Sequence, residues 1–131
     1  MPAGYSKRPR LDKLGVKPGM RVGVLGLADA AFRRELSTRT TDVTEGRVKR
    51  DSDIVFLALD APAGLARLTA LQRAIKPDGA IWVLWPKGRK QLTENMVRDA
   101  ALARGLVDIK VAAFSETLSA LKLVTPVAHR R

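Results

Sequence analysis

Bare apolar runs, without the alternation that marks a half-exposed strand, recur along this chain: "VGVLGL" from Val22, "DIVFLAL" from Asp53, and "AIWVLWP" from Ala80. Each predicts a strand covered on both faces, as in a parallel sheet. Between them lie stretches of helical composition. "ADAAFRREL" places Asp29 in a first turn, where a carboxylate suits the positive end of the helix dipole. Leu65, Leu68, Leu71 and Ile75 recur at helical spacing with Arg67, Arg73 and Lys76 on the other side, after a Pro62 that suits a first turn and before a "KPDG" that ends the helix. Thr93 is the expected N-cap of "ENMVRDAALAR", and Gly105 its left-handed stop.

The remaining segments are less regular. A short helix over Leu11–Leu14 is closed by Gly15, and "KPGM" turns into the first strand. "STRTTDVTEGRVKRDSD" is polar, threonine-rich and broken by Gly46, so it holds at most a short edge strand near Thr40–Thr44. "VDIKVAAFSETLSALKLVT" offers two β-rich runs around a polar connection, the pattern of an antiparallel hairpin. Strands alternating with helices and then a hairpin imply a three-layer α/β domain, with an open, mostly parallel sheet, helices on both faces and a C-terminal antiparallel hairpin. Residues 1–10 read as a basic N-terminal arm, 11–127 as the single α/β domain, and 128–131 as a basic C-terminal tail.

Composition narrows the chemistry. A chain of 131 residues, 46% hydrophobic and 28% charged, suits one globular domain, and no apolar run approaches the ~20 residues of a membrane span. The basic start has no apolar stretch behind it, so no secretory signal is expected and the cytoplasm is the expected location. Without cysteine there is no disulfide, thiolate nucleophile or zinc–thiolate cluster. The only histidine, His129, sits in the terminal "HRR", which removes it as a catalytic base, removes a serine triad and leaves no metal-ligand cluster. A net charge of +11 favours encounter with polyanions, nucleic acid among them, or expresses a general arginine bias. Only Tyr5 and Trp85 are aromatic candidates for base stacking, and no groove-reading motif is present.

The order of elements, and "AIKPDGAIWVLWP" in particular, resembles the S-adenosylmethionine-dependent methyltransferase fold, a Rossmann-like sheet that ends in a comparable hairpin. At closer range, "GYSKRPRLDKLGVKPGMRV", "KPDGAIWVLWPKG" and "LTENMVRDAALARGLVDIKVAAFSETLSALKLV" resemble a bacterial family of small proteins catalogued as a domain of unknown function. That resemblance implies a truncated methyltransferase-like fold and no particular activity. The methyltransferase resemblance implies an acidic, glycine-rich turn after the first strand and an acidic ribose-binding residue after the second. Here the turn is Leu25, Gly26, Leu27, Ala28, Asp29, Ala30, which keeps one glycine where bare backbone has to meet a cofactor. The ribose position has Asp42 and Glu45 as its candidates.

Ligands on such sheets bind beyond the carboxyl ends of the strands. That rim gathers Gly26 to Asp29, Asp60 to Pro62, Trp85 to Gly88, and Ser115 to Thr117. Asp60 binds a ligand hydroxyl or amine, or else caps the helix near Pro62. "WPKGRK" combines the Trp85 plane, a Pro86 turn open to a cis bond, Lys87 and the exposed backbone of Gly88 into an anion-binding loop; otherwise it is a solvated basic loop with Trp85 in the core. Ser115, Glu116 and Thr117 add hydroxyls and a carboxylate, with Glu116 reaching towards Lys87, or simply form a polar hairpin turn. Lys110 and Lys122 interrupt the hairpin strands and face each other or an acid, or more simply read as a solvated edge.

The expectation is a non-catalytic module that binds a small anionic ligand or a protein partner at this rim. Its ligand candidates are Asp60, Trp85, Lys87, Gly88, Ser115, Glu116 and Thr117, with no cofactor and no metal. The first alternative is a divergent S-adenosylmethionine-dependent methyltransferase using Gly26 and Asp29, and the second a weak, electrostatic nucleic-acid-binding accessory protein. The shortened second-strand region leaves apolar edges that favour a homodimer.

Overall fold

The computed structural model describes residues 9–130, so Tyr5, Lys7 and Arg8 of the expected arm lie outside the described residues. Arg10, assigned from sequence to that arm, instead opens helix α1 (Arg10–Leu14). Its guanidinium pairs with Glu35 and donates to the Phe114 carbonyl at 2.9 Å. Leu11 and Leu14 are buried, and Gly15 ends the helix in the left-handed region at φ 82°.

The sheet has six strands in the order β2-β1-β3-β4-β6-β5: β1 (Val22–Leu25), β2 (Val43–Glu45), β3 (Ser52–Ala58), β4 (Ile75–Pro86), β5 (Val107–Ala113) and β6 (Leu118–Val124). β2, β1, β3 and β4 run parallel, and β6 runs antiparallel to both β4 and β5. The predicted parallel sheet and closing hairpin are therefore the observed fold. α1 and α2 (Ala30–Ser37) cover one face through Leu11, Leu14, Phe32 and Leu36. α3 (Leu68–Ala74) and α4 (Glu94–Leu102) cover the other through Leu68, Leu71, Val97 and Ala101. The expected caps are in place: Asp29 accepts from Phe32 N–H at 3.0 Å, and Thr93 from Met96 N–H at 3.3 Å.

Several boundaries differ from the sequence expectation. "KPDG" does not end a helix before the strand; it lies inside β4, where pairing with β3 jumps from Ser52–Ile75 to Ile54–Ala80. Pro77 lacks a donor, and this irregularity is where a strand tolerates it. The leucine-rich helix starts as a 3-10 turn (Pro62–Arg67) before α3, and Ile75 belongs to β4. The edge strand sits at Val43–Glu45 rather than Thr40–Thr44, because the Thr40 hydroxyl donates to the Met20 carbonyl at 2.6 Å and accepts from Asp42 N–H, which makes a turn there. The Trp85–Pro86 bond is trans. The expected tail is also structured at its start, since Val127–His129 form a 3-10 turn.

Candidate functional site

The carboxyl ends of β1, β3 and β4 and the β5–β6 tip form one rim, held by backbone bonds from Leu59 N–H to Leu84 O at 2.8 Å and from Lys87 N–H to Thr117 O at 2.9 Å. The turn from Gly26 to Ala30 divides it into two recesses. One, of about 350 Å³, is lined by Gly26, Leu27, Ala58, Leu59, Asp60, Pro86 and Leu118. The other, of about 590 Å³, is lined by Ala28, Asp29, Ala30, Arg33, Arg34 and Glu45. Both volumes fall in the range of small-molecule sites, roughly 300–1,000 Å³.

Each recess ends in a carboxylate. Glu45 is the last residue of β2 and stands at the rim beside β1, whereas Asp42 precedes β2 at the opposite end of the sheet. There Asp42 accepts from Arg21 Nε at 2.9 Å and Lys49 Nζ at 3.1 Å, and these hydrogen bonds hold its carboxyl below the usual carboxylate range. Of the two ribose-site candidates, Glu45 alone is on the rim. It is engaged by an ion pair with Arg33 of α2, whose Nε–H is buried without a partner. Sequence reasoning missed Arg33; its position one helical turn after the Asp29 cap was the available signal. Asp60 is exposed, and the 3-10 turn after it has no side-chain cap, so the Asp60 carboxylate is not spent as a helix cap.

Gly26 explains itself locally. It has φ +73°, and a Cβ there would lie 2.5 Å from the Ala58 carbonyl oxygen. The one glycine of the turn thus admits β3 backbone, and Leu27 folds back against the core.

The structure divides the other predicted residues. Trp85 is buried with Ile81 and Val83 among the α3–α4 core residues, so it is not a wall of the site; that position belongs to Pro86. Lys87 and Gly88 are exposed on the loop beside the hairpin tip, outside the two recesses. Ser115 Oγ accepts from Thr117 N–H at 3.3 Å and Leu118 N–H at 3.1 Å, which uses the hydroxyl to build the turn. Glu116 is exposed, and among the described residues no Lys87–Glu116 ion pair forms. Lys122 is not on a solvated edge: β6 lies inside the sheet, and its ammonium stands 5.9 Å from the Trp82 ring centre. No described helix is long and apolar enough to cross a membrane.

Several solved methyltransferase structures share this fold. A magnesium protoporphyrin IX methyltransferase from Synechocystis with bound S-adenosylmethionine matches with a TM-score of 0.67 at 14% identity, over 88% of this chain and 74% of that one. An S-adenosylmethionine-dependent methyltransferase from Aquifex aeolicus matches with a TM-score of 0.67 at 14% identity, over 86% of each chain. A precorrin-6y C5,15-methyltransferase from Geobacter metallireducens matches with a TM-score of 0.65 at 13% identity, over 88% and 85%. No protein-family model matches the sequence, and no curated protein matches it.

Proposed function

We propose that this methyltransferase-fold chain binds an adenosyl ligand of the S-adenosylmethionine class astride the Gly26–Ala30 turn and works as a divergent methyltransferase. The observation that carries this is the pair of recesses flanking one turn, each ending in a carboxylate, Glu45 on one side and Asp60 on the other. In outline these residues fit the group. Glu45 would accept from ribose hydroxyls, Asp60 would accept from an amino group, and Leu27, Leu59 and Leu118 supply apolar wall. When bound, the cofactor supplies an electrophilic methyl group; this chain's residues hold and orient it. The Arg33–Glu45 pair must open for Glu45 to act. Both partners are partly exposed, and pairs of that kind are worth only about 0–1 kcal/mol.

Calorimetric titration with S-adenosylhomocysteine tests the reading. Saturable binding that Glu45→Gln weakens supports it. Absence of heat and of any melting shift at millimolar ligand overturns it, because a ligand stabilises the state it binds.

A second reading keeps the rim without the chemistry: a non-catalytic module for a small anionic ligand, anchored by Lys87 in the exposed "WPKGRK" loop. It is favoured by the side chains of Leu27, Ala28 and Ala30, which stand where methyltransferases present bare backbone to the cofactor. Lys87→Ala should then abolish anion binding at the rim. The quoted stretches "KPDGAIWVLWPKG" and "LTENMVRDAALARGLVDIKVAAFSETLSALKLV" support placing the chain in the small bacterial family they resemble.

A further inference from the structure

The far end of the sheet holds a different kind of recess. It lies where α3 ends, β4 begins and β6 leaves for the Val127–His129 turn, and its volume is about 180 Å³. That is below the roughly 300 Å³ at which drug-sized sites begin. Gln72, Arg73, Lys76, Thr125, His129 and Arg130 line it, and among the described residues no carboxylate does.

Most of its lining side chains are donors. Gln72 Nε2 donates to Thr125 Oγ1 at 3.3 Å, which leaves the Thr125 hydroxyl hydrogen free to donate elsewhere. Arg130 Nε donates to the Thr125 carbonyl at 3.0 Å, which anchors the guanidinium while its terminal nitrogens keep their donors. Arg73 makes no hydrogen bond or ion pair among the described residues, so all of its fork is available. Lys76 is partly neutralised by Asp53 at 2.9 Å and closes one side of the recess. Two guanidinium groups, a hydroxyl and an imidazole around a space below drug size describe a receptor for a compact oxyanion, free or carried on a small ester. Guanidinium forks match phosphate oxygens bidentately.

We propose that this recess is a phosphate-group site, distinct from the rim at the opposite end of the strands. Arg73 and Arg130 are its principal anchors and Thr125 its neutral donor.

The source of the phosphate is separable by experiment. Inorganic phosphate and glycerol 3-phosphate are titrated calorimetrically into the full chain at constant ionic strength set with chloride. Saturable one-site binding of either is expected. Tighter inorganic phosphate marks a free-anion site, and tighter glycerol phosphate marks a phosphoester site. Arg73→Ala and Arg130→Ala are each expected to weaken binding roughly tenfold, with Arg73→Lys intermediate because it keeps charge but loses the fork. Arg47→Ala, an exposed arginine outside this recess and outside the rim recesses, is expected to leave it unchanged. The proposal is overturned if neither probe binds beyond the chloride control, or if Arg73→Ala and Arg130→Ala bind as the parent does.

Discussion

Arg10 and Phe114 are joined twice: the guanidinium donates to the Phe114 carbonyl at 2.9 Å, and its carbon stands 4.7 Å from the Phe114 ring centre. The same guanidinium pairs with Glu35 and lies 5.1 Å from the Phe32 ring centre. One side chain therefore ties α1 to α2 and to the β5–β6 turn. Arg10→Ala is expected to lower unfolding free energy by about 2–3 kcal/mol, the scale of a charge-assisted hydrogen bond plus a cation–π contact. Arg10→Lys should recover less than half, since a point charge cannot serve carbonyl, carboxylate and ring together. Urea denaturation of the two variants checks both.

Arg33 and Glu45 set the readiness of the rim. Arg33→Ala should change stability by less than about 1 kcal/mol, as for exposed pairs in general. It should also tighten S-adenosylhomocysteine binding several-fold by freeing Glu45. Glu45→Gln should weaken binding about tenfold, and the two titrations together separate release of the carboxylate from loss of it.

Gly26→Ala is expected to cost about 2 kcal/mol or more, because a left-handed conformation costs a side-chain-bearing residue roughly 1–2 kcal/mol and the new Cβ also meets the Ala58 carbonyl. Thermal melting measures it. A near-neutral result would mean that the turn moves away from β3.

Lys122 is half-buried, and burial, then Lys110 and Lys17, hold its amine below the ordinary lysine value. The unfolded chain thus binds more protons than the folded one between the depressed value and about 10.5. Stability should rise with pH through that window, the opposite of a lysine that gains an acidic partner. Lys122→Met should raise the melting temperature at pH 7 by a few degrees and lose that advantage by pH 10.5.

The fold was legible because its signals are local. The bare apolar runs, the Asp29 and Thr93 caps and the polar "SETLS" turn each act within a few residues, and each lies where its element needs it. The site was legible only in part. Asp60 and the Gly26–Asp29 turn line the rim, but the choice of Glu45 over Asp42 depended on where a three-residue strand begins. Trp85 follows the core alternative because residues three apart on one strand take opposite faces: Trp82 lies on the α1–α2 side, its indole donating to the Leu14 carbonyl at 2.9 Å, and Trp85 on the other. The Arg10 clamp joins residues far apart in sequence, and no window of the chain contains it.

The position of β6 bears on how the chain is made. β6 follows β5 in sequence yet lies between β4 and β5, so among the described strands the last in sequence is an interior one. Until Leu118–Val124 emerge, β4 keeps an open edge of Val83, Leu84 and Trp85, and β5 has nothing to pair with. Such edges are sites of aberrant association. A nascent chain halted before Leu118 would be a ward for chaperones.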